Sequence, residues 1–199
     1  MSMFWDERYS NSEYVYDVQP NELFKVQLAK LKPGRLLQLG EGEGRNAVYA
    51  AKQGWLVDAV DSSKQAKTKA LNLAKENSVS INYNVESLED FTPEKAVYDA
   101  VGIIFVHMEY ELSKKVHELA IEALKPGGKI ILQVFEKEQL GRTSGGPKIL
   151  DQLYNIDDIR RNFHPLFTEI LRKEEVMLSE GEFHSGVGVV ISFVGVKQA

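Results

Sequence analysis

Two β-rich stretches close the chain, Phe167–Leu178 and Val187–Lys197, and only SEGEFHSG lies between them. Eight residues cannot hold a crossover helix, so these stretches must pair as an antiparallel hairpin. The middle of the chain obeys a different rule. Apolar runs at Arg35–Leu39, Leu56–Val60, Ile81–Val85, Tyr98–Phe105 and Lys129–Phe135 are separated by segments with helical periodicity. Strands joined through helices pair in parallel and carry helices on both faces. The pattern therefore predicts an α/β, Rossmann-like three-layer sandwich, parallel in its centre and ending in a hairpin.

The helices have readable ends. Pro20 opens a pattern with Leu23, Phe24, Leu28 and Leu31 on one face, which KPG stops at Lys32–Gly34. A helix over Arg45–Gln53 stops at Gly54, a residue that accepts the left-handed conformation. Ser62 or Ser63 caps a helix that buries Ala66, Ala70, Leu73 and Ala74. A further helix turns Leu112, Val116, Ala120 and Ala123 inward, and KPGG at Lys125–Gly128 is expected to close it. A last one lies near Ile156–Phe163.

No repeat or linker divides the 199 residues, so one domain over residues 1–199 is expected. Residues 1–19 carry Phe4, Trp5, Tyr9, Tyr14 and Tyr16 and either pack on the surface or form a flap. GRTSGGP, Gly141–Pro147, is the stretch expected to be flexible. Net charge is −5, which excludes a broad nucleic-acid-binding face. Without cysteine there is no disulfide, thiolate metal site or Cys nucleophile. No secretory signal and no apolar run of ~18–20 residues is visible, so a cytoplasmic protein away from membranes is expected. Oligomeric state stays open.

The chemistry lies in LLQLGEGEGRNA, residues 36–47. Glycines between a strand and a helix let a ligand approach the backbone, and the helix start attracts anions. Asp61 ends the next strand about 20 residues on, where an acid bonds ribose hydroxyls. A nucleoside with an intact diol is implied. Glu41 and Glu43 would repel a pyrophosphate, and Arg45 stands where a dinucleotide loop has its third glycine. A phosphate-free, cationic nucleoside such as S-adenosyl-L-methionine removes the conflict.

LLQLGEGEGRNAVYAA, AVDSS, YDAVGIIFVH and LKPGGKIILQVF, in that order and spacing, resemble the motifs of class I S-adenosylmethionine-dependent methyltransferases. FWDERYS, QPNELF, GGP and EGEFHSG resemble a bacterial branch related to the tellurite-resistance and thiopurine methyltransferases. The resemblance implies a seven-stranded sheet of order 3-2-1-4-5-7-6 with strand seven antiparallel. By position it puts Gly40, Gly42 and Gly44 against the methionine part and Asp61 on the ribose. Ser87 and Leu88 fall by the adenine and Phe105 beside the cofactor, with Glu41, Arg45, Asn46 and Ser62 completing the site. Gln38 departs from the acid usual at its position; Glu41 is a candidate replacement.

Methyl transfer from a sulfonium needs alignment and exclusion of water more than a catalytic triad. His107, at the end of strand four, is the candidate to orient or deprotonate an acceptor. Tyr9, Tyr16, Arg142 and His184 are candidates for the acceptor rim. His117 and His164 read as helix-surface or helix-end residues, and the four histidines lack metal-ligand spacing, so no metal is expected. The expected function is methylation of a small molecule such as a thiol, oxyanion or amine. Three alternatives stay open: a nucleic-acid or protein methyltransferase, although IFVH replaces the Asn/Asp-Pro-Pro-aromatic motif of base methylation; a non-catalytic cofactor-binding module; and an NAD-dependent enzyme.

Overall fold

The computed structural model describes residues 2–198. Met1 and Ala199, the ends of the expected domain and the first residue of the expected flap, lie outside them. The chain runs α1 (Ser2–Arg8), α2 (Glu22–Leu28), β1 (Arg35–Leu39), α3 (Arg45–Lys52), β2 (Leu56–Asp61), α4 (Lys64–Glu76) and β3 (Asn82–Val85). It continues with β4 (Tyr98–Ile104), α5 (Tyr110–Ala123), β5 (Leu124–Phe135), α6 (Ile156–Asn162), β6 (Leu166–Ser179) and β7 (Ser185–Lys197). One sheet holds all seven strands in the order β3-β2-β1-β4-β5-β7-β6. β1 pairs in parallel with β2 and β4, and β4 with β5. β7 is antiparallel to both β5 and β6, as the short SEGEFHSG connection requires.

Burial explains the strand sequences. β4 is nearly all apolar because both of its faces are covered. Val101 and Ile103 join one core with Leu37, Leu39, Val116, Ala120 and Phe163, under α5 and α6. Ala100 and Ile104 join the other, with Leu36, Phe24, Ala47 and Ala59, under α2 and α3. Caps set the helix starts. The Asn21 side chain accepts from Phe24 N, so α2 begins after the expected Pro20. Ser63 rather than Ser62 caps α4.

Three expectations fail. Lys125–Gly128 does not close a helix in a loop; it lies within β5, where the pairing with β4 slips between Tyr98 and Ala100. The slip absorbs the Pro-Gly-Gly residues, with Gly127 at φ 81°. His117 is not on the helix surface: it is fully buried, its ring 4.5 Å from that of Phe163 and its Nδ1 3.1 Å from Asn162 Nδ2. Phe105 is not the last residue of β4 but follows it with φ 53°, a conformation non-glycine residues rarely adopt. His164 is exposed, as expected. Among the described residues no helix is long and apolar enough to cross a membrane.

Candidate functional site

A cavity lies beyond the carboxyl ends of β1, β2 and β4. That is the edge where open parallel sheets bind ligands. The cavity brings together Gly40, Glu41, Gly42, Arg45 and Asn46 from the turn into α3. Asp61 and Ser62 follow β2, Ser87 and Leu88 follow β3, and Phe105 and His107 follow β4. Tyr9, Tyr16 and His184 complete the wall.

Two expected residues are elsewhere. Gly44 packs against α4: a Cβ there would lie 2.7 Å from Ala70 Cβ, so this glycine serves helix packing. Arg142 does not line the cavity, and its Nη2 pairs with Glu175 Oε1 at 2.7 Å. The Gly141–Pro147 loop instead packs beneath the hairpin tip, where Ser144 Oγ donates to Val187 O at 2.7 Å.

The glycine loop is held from several sides. Gly40 and Gly42 have φ 61° and 63°. A Cβ at Gly40 would meet Val106 at 2.6 Å, and one at Gly42 would meet Tyr9 Oη at 2.9 Å. Tyr83 Oη donates to Gly42 O at 2.7 Å. Asp61 closes the loop from below, accepting from Gly42 N at 3.0 Å and from Ser63 N at 2.9 Å. Burial pushes its carboxyl up from the usual range, against these two hydrogen bonds.

The two loop carboxylates do not stand free. Glu41 Oε1 accepts from Ala47 N at 2.8 Å in the first turn of α3. It thus occupies the helix start, where a phosphate would otherwise sit. Burial pushes its carboxyl up to about 8. Glu43 is buried, accepting from Val15 N at 2.8 Å and pairing with Lys69 Nζ at 2.5 Å. Lys69 also donates to Asn11 O and Glu13 O, at 2.9 and 2.6 Å. Glu43 therefore ties the N-terminal segment to the loop. Through this segment Trp5, Tyr9 and Tyr16 reach the cavity, with the Trp5 and Tyr9 rings stacked at 5.5 Å. The buried Gln38 Nε2 has no hydrogen-bond partner.

His107 is engaged at both ring nitrogens. Nδ1 bonds Gln152 O at 2.9 Å and Nε2 accepts from Phe135 N at 3.3 Å. Burial holds its pKa down at about 4. This neutral ring has no lone pair left for a ligand proton, which removes the base role expected of it. His184 is different. Its ring lies 4.5 Å from that of Phe105 and 4.6 Å from that of Tyr16, and Nδ1 is 3.4 Å from Glu180 Oε2. Glu180 also accepts from Arg45 Nη2 and from Asn21 Nδ2, each at 2.9 Å. Burial opposes ionisation of Glu180, but the His184 hydrogen bond and the Arg45 guanidinium outweigh it and hold the carboxyl at about 2.

Glu180 and Asn21 are the members of this cluster that sequence reasoning missed. Glu180 stands four residues before His184, and Asn21 precedes a helix; each spacing was visible but pointed only to local structure. Among the described residues no group of three or more His, Cys, Asp or Glu could hold a metal.

A family profile described as a methyltransferase domain matches residues 36–128, from β1 through the glycine loop, Asp61 and His107 to the start of β5. The ubiquinone biosynthesis O-methyltransferase of Rickettsia akari (strain Hartford) is 28% identical over 153 residues, covering 77% of this chain and 58% of that protein. The 2-heptyl-1-hydroxyquinolin-4(1H)-one methyltransferase of Mycobacteroides abscessus is 25% identical over 153 residues, covering 71% and 67%. The chain thus spans roughly three fifths to two thirds of these relatives' length. The crystal structure of TehB from Haemophilus influenzae superposes with a TM-score of 0.74 at 12% identity, over 99% of this chain and 67% of that one. The fold is that of class I methyltransferases, and residues 36–128 match a methyltransferase domain.

Proposed function

We propose that this protein, with the methyltransferase domain of residues 36–128 as its centre, is an S-adenosylmethionine-dependent methyltransferase acting on a small molecule. The carrying observation is the Glu41 carboxylate at the start of α3. It fills the seat of a pyrophosphate and suits a cationic ligand, while the rest of the cavity suits a nucleoside. Asp61 holds the ribose; Ser62, Ser87 and Leu88 surround the base; Gly40 and Gly42 approach the methionine part. Arg45 and Asn46 support the loop from the first turn of α3, and Phe105 borders the methyl group's path. When bound, the cofactor supplies a methyl group already activated on a sulfonium. The protein's part is to align the acceptor and exclude water. Tyr9, Tyr16 and Trp5 serve the second task as a cover.

The two curated relatives are named for methylation in ubiquinone biosynthesis and of a hydroxyquinolone, and this supports a small acceptor. The likeness to TehB, with FWDERYS and EGEFHSG, supports the tellurite-resistance-related branch. We take residues 1–199 as one cytoplasmic domain.

Calorimetry with S-adenosylmethionine, its demethylated product and NAD tests the reading. The first two are expected to bind and NAD not. A cation beside Glu41 favours its ionised form, so binding at pH 7 should release protons, read as a heat that varies with buffer. Binding of NAD without a response to S-adenosylmethionine would overturn the proposal.

A further inference from the structure

The two histidines of the cavity differ in what each can still do. His107 has spent both nitrogens on backbone groups. His184 makes its hydrogen bond through Nδ1, to a carboxylate. An ionised carboxylate only accepts, so Nδ1 carries the proton and Nε2 keeps the lone pair. Among the described residues Nε2 has no hydrogen-bond partner, and it is not one of the sealed-off atoms, which are Gln38 Nε2, Glu43 Oε1, Arg45 Nη1 and His117 Nε2. The residue is buried and lines the cavity, and Nε2 is the ring nitrogen left without a partner among the described residues.

The carboxylate behind His184 is itself fixed. One oxygen of Glu180 meets Asn21 Nδ2, the other Arg45 Nη2, each at 2.9 Å. The imidazole is packed between Tyr16, Phe105 and Phe135, with ring centroids 4.6, 4.5 and 5.2 Å away. Orientation and tautomer are thus both set before any ligand arrives, as a general base requires.

We propose that His184 is the group that takes the acceptor's proton, with Glu180 as its positioning residue, and that the acceptor is a weakly acidic hydroxyl or thiol on a flat apolar body. This rests on the methyl-transfer reading above. Phe105, Tyr16 and Trp5 supply the apolar walls such a body would lie against. The O–H or S–H proton moves to Nε2, and the freed lone pair forms the new bond to the methyl carbon. The electron pair of the broken carbon–sulfur bond stays on sulfur. The imidazolium then loses its proton to water. Burial pushes the His184 imidazole down from its ordinary value; the charged groups acting on it are Glu180, which favours its cation, and Arg45 and Arg8, which oppose it, with His107 nearby.

Nitrogen-15 NMR of the histidines tests the device without any ligand, with His184→Asn for assignment. His184 is expected to be neutral at pH 7 with its proton on Nδ1, and Glu180→Leu, which removes the acceptor, to populate the other tautomer. A proton on Nε2 in the unmodified protein, an imidazolium at pH 7, or a tautomer indifferent to Glu180→Leu would overturn the proposal. The second arm measures methyl transfer to phenols and thiophenols of graded acidity. His184→Asn should lose ~10²–10⁴-fold on the least acidic members and less than about tenfold on those already ionised. Equal losses across the series would overturn the base role. No transfer to any member by protein that binds the cofactor in calorimetry would overturn the acceptor class. Failure of the cofactor to bind would overturn the methyl-transfer reading and this proposal with it, while the tautomer would still be as measured.

Discussion

The cavity has two walls built by different means. The wall at the ends of β1 and β2 is made of backbone: two left-handed glycines, a helix start, and one aspartate bonded to loop N–H groups. The facing wall is made of side chains from segments far apart in sequence. Tyr16, Arg45, Glu180 and His184 come from the N-terminal segment, α3 and the hairpin tip, and are held by ion pairs and ring contacts. The first wall suits a ligand that never changes; the second suits whatever is to be modified. Fixed backbone allows little variation, whereas a side-chain cluster can be replaced one member at a time.

Substitutions should separate the two walls. The largest effect is expected of Gly42→Val. A side chain there meets Tyr9 and must adopt φ 63°, so cofactor binding should disappear in calorimetry while circular dichroism shows a retained sheet. Cofactor affinity that survives would break the claim that this wall is backbone-built. Asp61→Ala should be milder, weakening the cofactor by roughly 1–3 kcal/mol, because one charged hydrogen-bonding group is lost from a wall that otherwise stands. Unchanged affinity would place the ribose elsewhere. The smallest effect is expected of Glu43→Gln, which replaces a charge-assisted anchor of the N-terminal segment by a neutral one, worth about 1 kcal/mol. Amide exchange at Val15 and Tyr16 should quicken, with little change in the core strands. If exchange there is unaffected, the segment is held by its own packing, in which Tyr9 and Val15 are buried with Ala66.

The same contrast explains what could be read from the sequence. The backbone wall was legible because it is local: glycines, a strand end and an acid twenty residues on lie in fixed order. The terminal hairpin was legible because eight residues permit no other connection. The side-chain wall was not, because Glu180 and Arg45 are 135 residues apart and nothing in either segment announces the pairing. His107 was misjudged for a related reason. Its place at a strand end marked it as catalytic, but the carbonyl of Gln152, 45 residues on, takes one of its nitrogens. Glu41 and Glu43 do line the cavity, but each also anchors backbone that the sequence did not announce, Ala47 N in α3 and Val15 N in the N-terminal segment.

β6 is the last strand of the sheet, and β7 joins it to the rest. The hairpin tip that carries Glu180 and His184 therefore hangs from the margin of the molecule. Residues can be added or removed there without shifting the register of β1 through β4, which pair only among themselves and with β5. β6 exposes Glu169, Arg172, Lys173 and Glu175 along its length, charges that discourage another chain from adding a strand. The margin is thus both protected and free to vary. A designer wishing to give this scaffold a new acceptor would graft tips between Ser179 and Ser185 and leave the glycine loop untouched.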